Sequence, residues 1–109
     1  MTGIWNHLRA KTSALTGITV HTYDHPDYEM KIYVLDGTVL YPVIATAKKD
    51  LHRKPDICIG EQGEASFSLP PSLSLEEIPF FLNDLSGAVE RATEIKELIN
   101  TIAESETDR

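Results

Sequence analysis

Residues 72–103 read as one long amphipathic helix, and nothing else in the chain constrains the fold as tightly. Ser74 stands three residues before Glu77, the spacing at which each side chain can satisfy the other residue's free backbone N–H. Ile78, Leu82, Leu85, Val89, Ala92, Ile95, Ile99 and Ile102 then recur every three or four residues, with Phe81, Ala88 and Leu98 widening the stripe. At 1.5 Å per residue such a helix runs about 43 Å from Leu75 to Ala103. A strand of ordinary length offers only about 17–20 Å of floor. Part of the stripe must therefore find cover outside a small sheet. The excess is assigned to the second half, where Ile95, Leu98, Ile99 and Ile102, with Glu90, Glu94 and Glu97 beside them, are expected to form a protein interface. The simplest closed assembly is a two-fold homodimer.

The floor is expected upstream. Asp36 and Gly37 separate two β-rich runs, the preferred composition for a two-residue type I′ hairpin over residues 29–45. In the uninterrupted register Leu35 faces Thr38, Val34 faces Val39, Ile32 faces Tyr41 and Met30 faces Val43, which gives one continuous apolar face. The other face is mixed, with Lys31, Tyr33, Leu35, Thr38 and Leu40. Pro42 has no N–H to give, so the ladder is expected to end there, to bulge, or to lie at an edge.

A preceding strand is expected over 18–23, with Ile18, Val20 and Thr22 on one face and Thr19, His21 and Tyr23 on the other. Residues 24–27 read as a turn. Ile57 to Ile59 and residues 65–69 flank Gly60-Glu61-Gln62-Gly63 as a second, looser hairpin, and Pro70-Pro71 stops the last strand. The N-terminal stretch 2–14 is read as a short helix, with Thr2 as its cap, Ile4, Trp5 and Leu8 as its apolar edge and Gly17 after its end. The fold class that follows is α+β: an antiparallel meander of about five strands, a short N-terminal helix, and a long C-terminal amphipathic helix covering one face. One domain spans 1–109, with 104–109 a disordered polar tail.

Charge is unevenly placed along the chain. Residues 1–60 hold seven Lys/Arg and six Asp/Glu (+1), residues 61–109 hold three and eleven (−8), and the sum is the net −7. That balance opposes general nucleic-acid binding, which needs cations to displace phosphate counterions. It suits a basic partner, though acidic helix faces ordinarily serve only solubility. A single cysteine, Cys58, fits a reducing compartment, and no apolar run reaches membrane-spanning length. A cytoplasmic location and no membrane contact are expected.

Chemistry-bearing motifs are sparse. His21 and His25 with a nearby carboxylate resemble no standard metal spacing, and Cys58 sits inside an apolar strand. No nucleophile elbow, phosphate loop or dinucleotide fingerprint occurs. Neither catalysis nor a cofactor or metal is expected. The stretch Lys48, Lys49, His52, Arg53 and Lys54 gathers five cationic or titratable groups and is the candidate site for an anionic nucleotide. Exposed lysines that merely keep a loop soluble are the commoner case.

The plan of a small acidic chain, a strand meander and a covering C-terminal helix resembles the dimeric chaperones of type III secretion and some phage-encoded inhibitors of bacterial defence. The resemblance is architectural and carries no residue with it. It implies a non-enzymatic protein-binding module or inhibitor, acting as a homodimer on a protein partner. The reading from another class is a small-ligand binder that holds a nucleotide through residues 48–54.

Overall fold

The computed structural model describes residues 5–48, 54–68, 70 and 72–107. Six strands form one antiparallel sheet in sequence order: β1 (Asn6–Thr12), β2 (Thr19–Asp24), β3 (Tyr28–Leu35), β4 (Thr38–Ala47), β5 (Ile57–Ile59) and β6 (Ala65–Phe67). One helix, α1 (Ile78–Thr107), packs on one face.

The hairpin at Asp36 and Gly37 forms as the residue types require. Both have positive φ, 51° and 77°, the signature of the type I′ turn whose twist matches the flanking strands. Leu35 pairs with Thr38 and Val34 with Val39, as expected, but beyond Tyr33↔Leu40 the register shifts to Lys31↔Ile44 and Met30↔Ala45. The extra residues lie around Pro42, where β4 has no N–H to offer and the Tyr41–Pro42 bond is cis. Ile32 does not face Tyr41, therefore, nor Met30 Val43. Ala45, 0% exposed, occupies the floor beside Met30, while Tyr41 turns out toward solvent.

Alternation then sorts the sheet into two faces. Tyr23, Met30, Ala45, Ile57 and Phe67 form one row on the covered face, with Ile32, Val34, Val39, Val43 and Ile59 filling the rest. The opposite face carries the row Arg9, Thr22, Lys31, Ile44, Cys58 and the row Lys11, Val20, Tyr33, Leu40.

The N-terminal segment is a correction. Residues 6–12 are an edge strand rather than part of a short helix, and all seven are exposed. Trp5, Leu8 and the following polar residues mimic a helical edge because Leu8 is a bulge: His7 pairs with Tyr23 and Arg9 with Thr22, leaving Leu8 without an opposite residue. A bulge and two cations, Arg9 and Lys11, are the usual protection of an exposed strand edge. Gly17 (φ 75°) serves the β1–β2 connection, its N–H bonded to the Ser13 carbonyl, not a helix end. Thr2 and Ile4 lie outside the described residues.

The expected capping box is present. Ser74 donates its N–H to Glu77 Oε1 at 3.1 Å and Glu77 donates its N–H to Ser74 Oγ at 3.3 Å. The helix begins just beyond, at Ile78, and continues to Thr107, into the stretch read as a tail.

Burial along α1 is lopsided. Ala88, Ala92, Ile95, Ile99 and Ile102 are buried in the core, and Leu98 packs partly against it. No residue from 78 to 87 is buried. The helix outruns its sheet, as the lengths required, but the overhang is its first half. The described residues accordingly extend over 52 × 26 × 24 Å.

Candidate functional site

Two surfaces have a character that core packing does not explain. The first is the overhanging half of α1. Phe80 is 72% exposed, Leu82 57% and Val89 49%, and Leu75 just before the helix is 85% exposed. Residues 72–90 carry Glu76, Glu77, Asp84 and Glu90 and no Lys or Arg. An apolar rod with only negative charge around it therefore projects from the sheet.

The second is the open face of the sheet. A trough of about 620 Å³ crosses it, floored by Thr22 and Ile44 with Leu8, Arg9, Lys31 and Tyr33 along it. It continues into a hollow of about 480 Å³ that shares Arg9, Thr22, Lys31 and Tyr33 and adds Lys11 and Val20. Arg9, Lys11 and Lys31 are exposed and make no ion pair with another described residue. No carboxylate lines the hollow; Asp24 and Glu29 line the far end of the trough, where Asp24 is held by Lys48 at 2.8 Å.

Of the basic stretch, Lys49, His52 and Arg53 lie outside the described residues. Lys48 is committed to Asp24 and Lys54 is only half-exposed. Of the interface expected in the second half of α1, Ile95, Ile99 and Ile102 belong to the chain's own core, so the apolar stripe there is not a surface. Glu90 and Glu97 are exposed. Glu94 is drawn inward: its Oε1 accepts from Trp5 Nε1 at 2.9 Å and from Arg91 Nε at 2.6 Å, while Oε2 accepts from Arg91 Nη2 at 2.9 Å. Burial alone would raise the Glu94 pKa, but the hydrogen bonds from Arg91 and Trp5, with the Arg91 charge, hold the carboxyl below its ordinary range.

Beside this clasp His25 is 2% exposed and its ring centroid lies 4.7 Å from that of Trp5. His25 Nδ1 accepts the Asp27 N–H at 2.9 Å, which places the neutral ring's proton on Nε2. Nε2 is buried without a hydrogen-bond partner among the described residues. Burial, reinforced by the Arg91 charge, lowers the His25 pKa against the opposing pull of Asp27 and Glu94. Tyr28, whose hydroxyl donates to the Pro55 carbonyl at 3.1 Å, is pushed up to about 12 by burial and by Asp27 and Asp56. These groups tie the N-terminal segment, the β2–β3 turn and the helix together, and their environment suits a structural tie.

His21 does not join His25: its Nδ1 lies 3.2 Å from His7 Nε2 across the β1–β2 pair. Among the described residues no three His, Cys, Asp or Glu side chains converge as a metal-ligand set. No described helix is long and apolar enough to cross a membrane.

The residues that the sequence reading passed over are Phe80 at the overhang, Arg9 in the trough and Lys11 in the adjoining hollow. A signal for the first was available in the small residues Ala88 and Ala92, which mark where a helix can approach a sheet closely, and in the missing cations of 72–90. Arg9 and Lys11 were hidden by the helical reading of β1. No protein-family model, curated protein or solved structure matches this chain.

Proposed function

We propose that this chain is a non-enzymatic, acidic protein-binding module that works as a homodimer, in the manner of a phage-type inhibitor or a secretion chaperone. The observation that carries the reading is the overhanging half of α1, with Phe80 and Leu82 held out in solvent amid carboxylates and Val89 exposed just after it. Exposed apolar side chains gathered on one segment cost solubility unless something covers them. Burying them against a protein recovers roughly 25 cal/mol for each Å² removed from water. The exposed carboxylates Glu90 and Glu97 on the outer side of α1 suit a basic surface on the protein partner.

Light scattering tests the assembly: the expected mass is twice the 12.2 kDa of one chain, and a monomer at tens of micromolar would end the homodimer reading. The small-ligand reading has its own measurement. A rise in Tm with millimolar ATP, lost when Lys48 and Lys54 are replaced by Ser, would put it ahead, since a ligand that binds only the folded state stabilises it by mass action.

A further inference from the structure

The two unexplained surfaces are complementary to each other. The overhang is apolar and purely acidic, with Phe80, Leu82 and Asp84 in its first turns. The open face of the sheet carries the cations Arg9 and Lys31, with Thr22 between them and Leu8, Tyr33 and Ile44 exposed around them, while its carboxylates Asp24 and Glu29 are confined to the far end. Within one chain they cannot meet, because α1 lies on the covered face and the trough lies on the other.

We propose that the overhanging half of α1 in one copy lies across the open sheet face of a second copy, and that the second copy's helix does the same in return. This inference rests on the homodimer reading and names its two halves. A two-fold axis in the plane of the sheet, parallel to the strand-to-strand direction and just beyond the end of the sheet that α1 overruns, turns the second molecule over. The second sheet then presents its open face in the layer into which the first molecule's helix projects. Each sheet gains a helix on its bare side without any change in either fold. Every contact is arm to trough, so the assembly closes at two copies and leaves no unpaired arm.

The charges set the specificity. Arg9 and Lys31 would flank an incoming rod that has carboxylates and no cation, whereas two overhangs packed on each other would bring like charges together. A small anion is the rival occupant of the trough, favoured by the same cations but with no use for Leu8, Ile44 and the exposed helix.

The test uses two surface variants of the full chain. The arm variant is Phe80→Arg with Leu82→Arg; the trough variant is Arg9→Glu with Lys31→Glu. Each should keep the circular dichroism spectrum of the parent, with Tm lowered only as far as the lost association requires, and each alone should weaken dimerisation by about tenfold or more in sedimentation equilibrium. Mixed one to one they should regain a dimer, because one parent arm then meets one parent trough and the other junction pairs Arg with Glu. A trough variant that dimerises like the parent, or an arm variant that the mixture does not rescue, would overturn the inference and leave the homodimer standing on another interface. A monomeric parent would remove both, and a monomeric parent whose Tm rises with ATP, in contrast to the trough variant, would assign the face to a small anion. Should a double substitution unfold the chain, Asp84→Lys and Lys31→Glu serve as the pair and are read in the same way.

Discussion

The two halves of α1 share one periodicity and have opposite fates. From 88 to 102 the stripe of Ala88, Ala92, Ile95, Ile99 and Ile102 is buried on the sheet; from 78 to 87 the positions that continue it, Phe81 and Leu85, are only half-buried, and Phe80 and Leu82 to either side are in solvent. Period alone reports that a helix has a side, not that the side is covered. What differs is side-chain size and anchorage. Two alanines let the second half sit close to the floor, and the bonds from Trp5 and Arg91 to Glu94 fasten it there. The first half has bulky aromatics and no such tie.

The sharpest way to break this contrast is to truncate one apolar residue in each half. Ile95→Ala removes a side chain that is 0% exposed at the centre of the core and should cost about 2–5 kcal/mol in urea unfolding. Leu82→Ala should stand at the other extreme, as the last and smallest effect below. Next in size is the anchor. Glu94→Ala leaves the Trp5 indole N–H unpaired and Arg91 with only its longer, 3.4 Å contact to Glu90 in a largely buried setting, and should cost about 2 kcal/mol, with Trp5 fluorescence shifting toward the solvent-exposed value. If Tm is unchanged, the tie does not distinguish the halves.

The floor under the buried half depends on its hairpin. Gly37→Val forces a β-branched residue to φ 77° and should cost about 1 kcal/mol or more; an unchanged midpoint would contradict the type I′ turn. The clasp also fixes a pH window. His25 has a folded pKa below its ordinary 6.5, so the unfolded chain takes up the proton first. Stability present above about pH 6.5 is therefore lost as the pH falls through and below that value, and Tm should be lower at pH 5.5 than at pH 7.5. In His25→Gln that difference should shrink, the amide still accepting the Asp27 N–H. Glu94 acts in a separate window, below its ordinary 4.5, where protonation releases Arg91 and Trp5. Smallest of all, Leu82→Ala should move the unfolding free energy of the monomer by no more than about 0.5 kcal/mol, because the side chain is already in water. A cost near that of Ile95→Ala would show the first half to be packed after all.

The parts of this fold that were legible in the sequence are those fixed by local chemistry. Asp36-Gly37, the Ser74–Glu77 box and the alternation of β2 and β3 each specify their geometry within a few residues. The illegible parts depend on what lies far away. Leu8 reads as a helical edge until Tyr23 and Thr22 fix it as a bulge, and the register past Tyr33 depends on how β4 accommodates Pro42. The covered half of α1 is misplaced for the same reason: burial is decided by where the sheet ends, and within the helix only the small residues Ala88 and Ala92 hint at that. For the candidate surfaces, the cations of β1 became visible only once the strand placed Arg9 in line with Thr22 and Lys31.

Trp5 and Glu94 are separated by 89 positions, and every buried residue of the helix follows residue 87. On a ribosome the six strands emerge first, bearing an apolar face that has nothing to rest on. At the usual 5–20 residues per second, residues 68–102 take about 2–7 s to follow. Through that interval Met30, Ile32, Val34, Ile57 and Ile59 form a sticky plane with two free strand edges, and Arg9 and Lys11 on the first edge are the only described charges of β1 placed to keep like chains apart. The nascent chain is thus most vulnerable just before residues 88–102 emerge, and a message cut short ahead of residue 88 yields a product bound for aggregation rather than a smaller working domain.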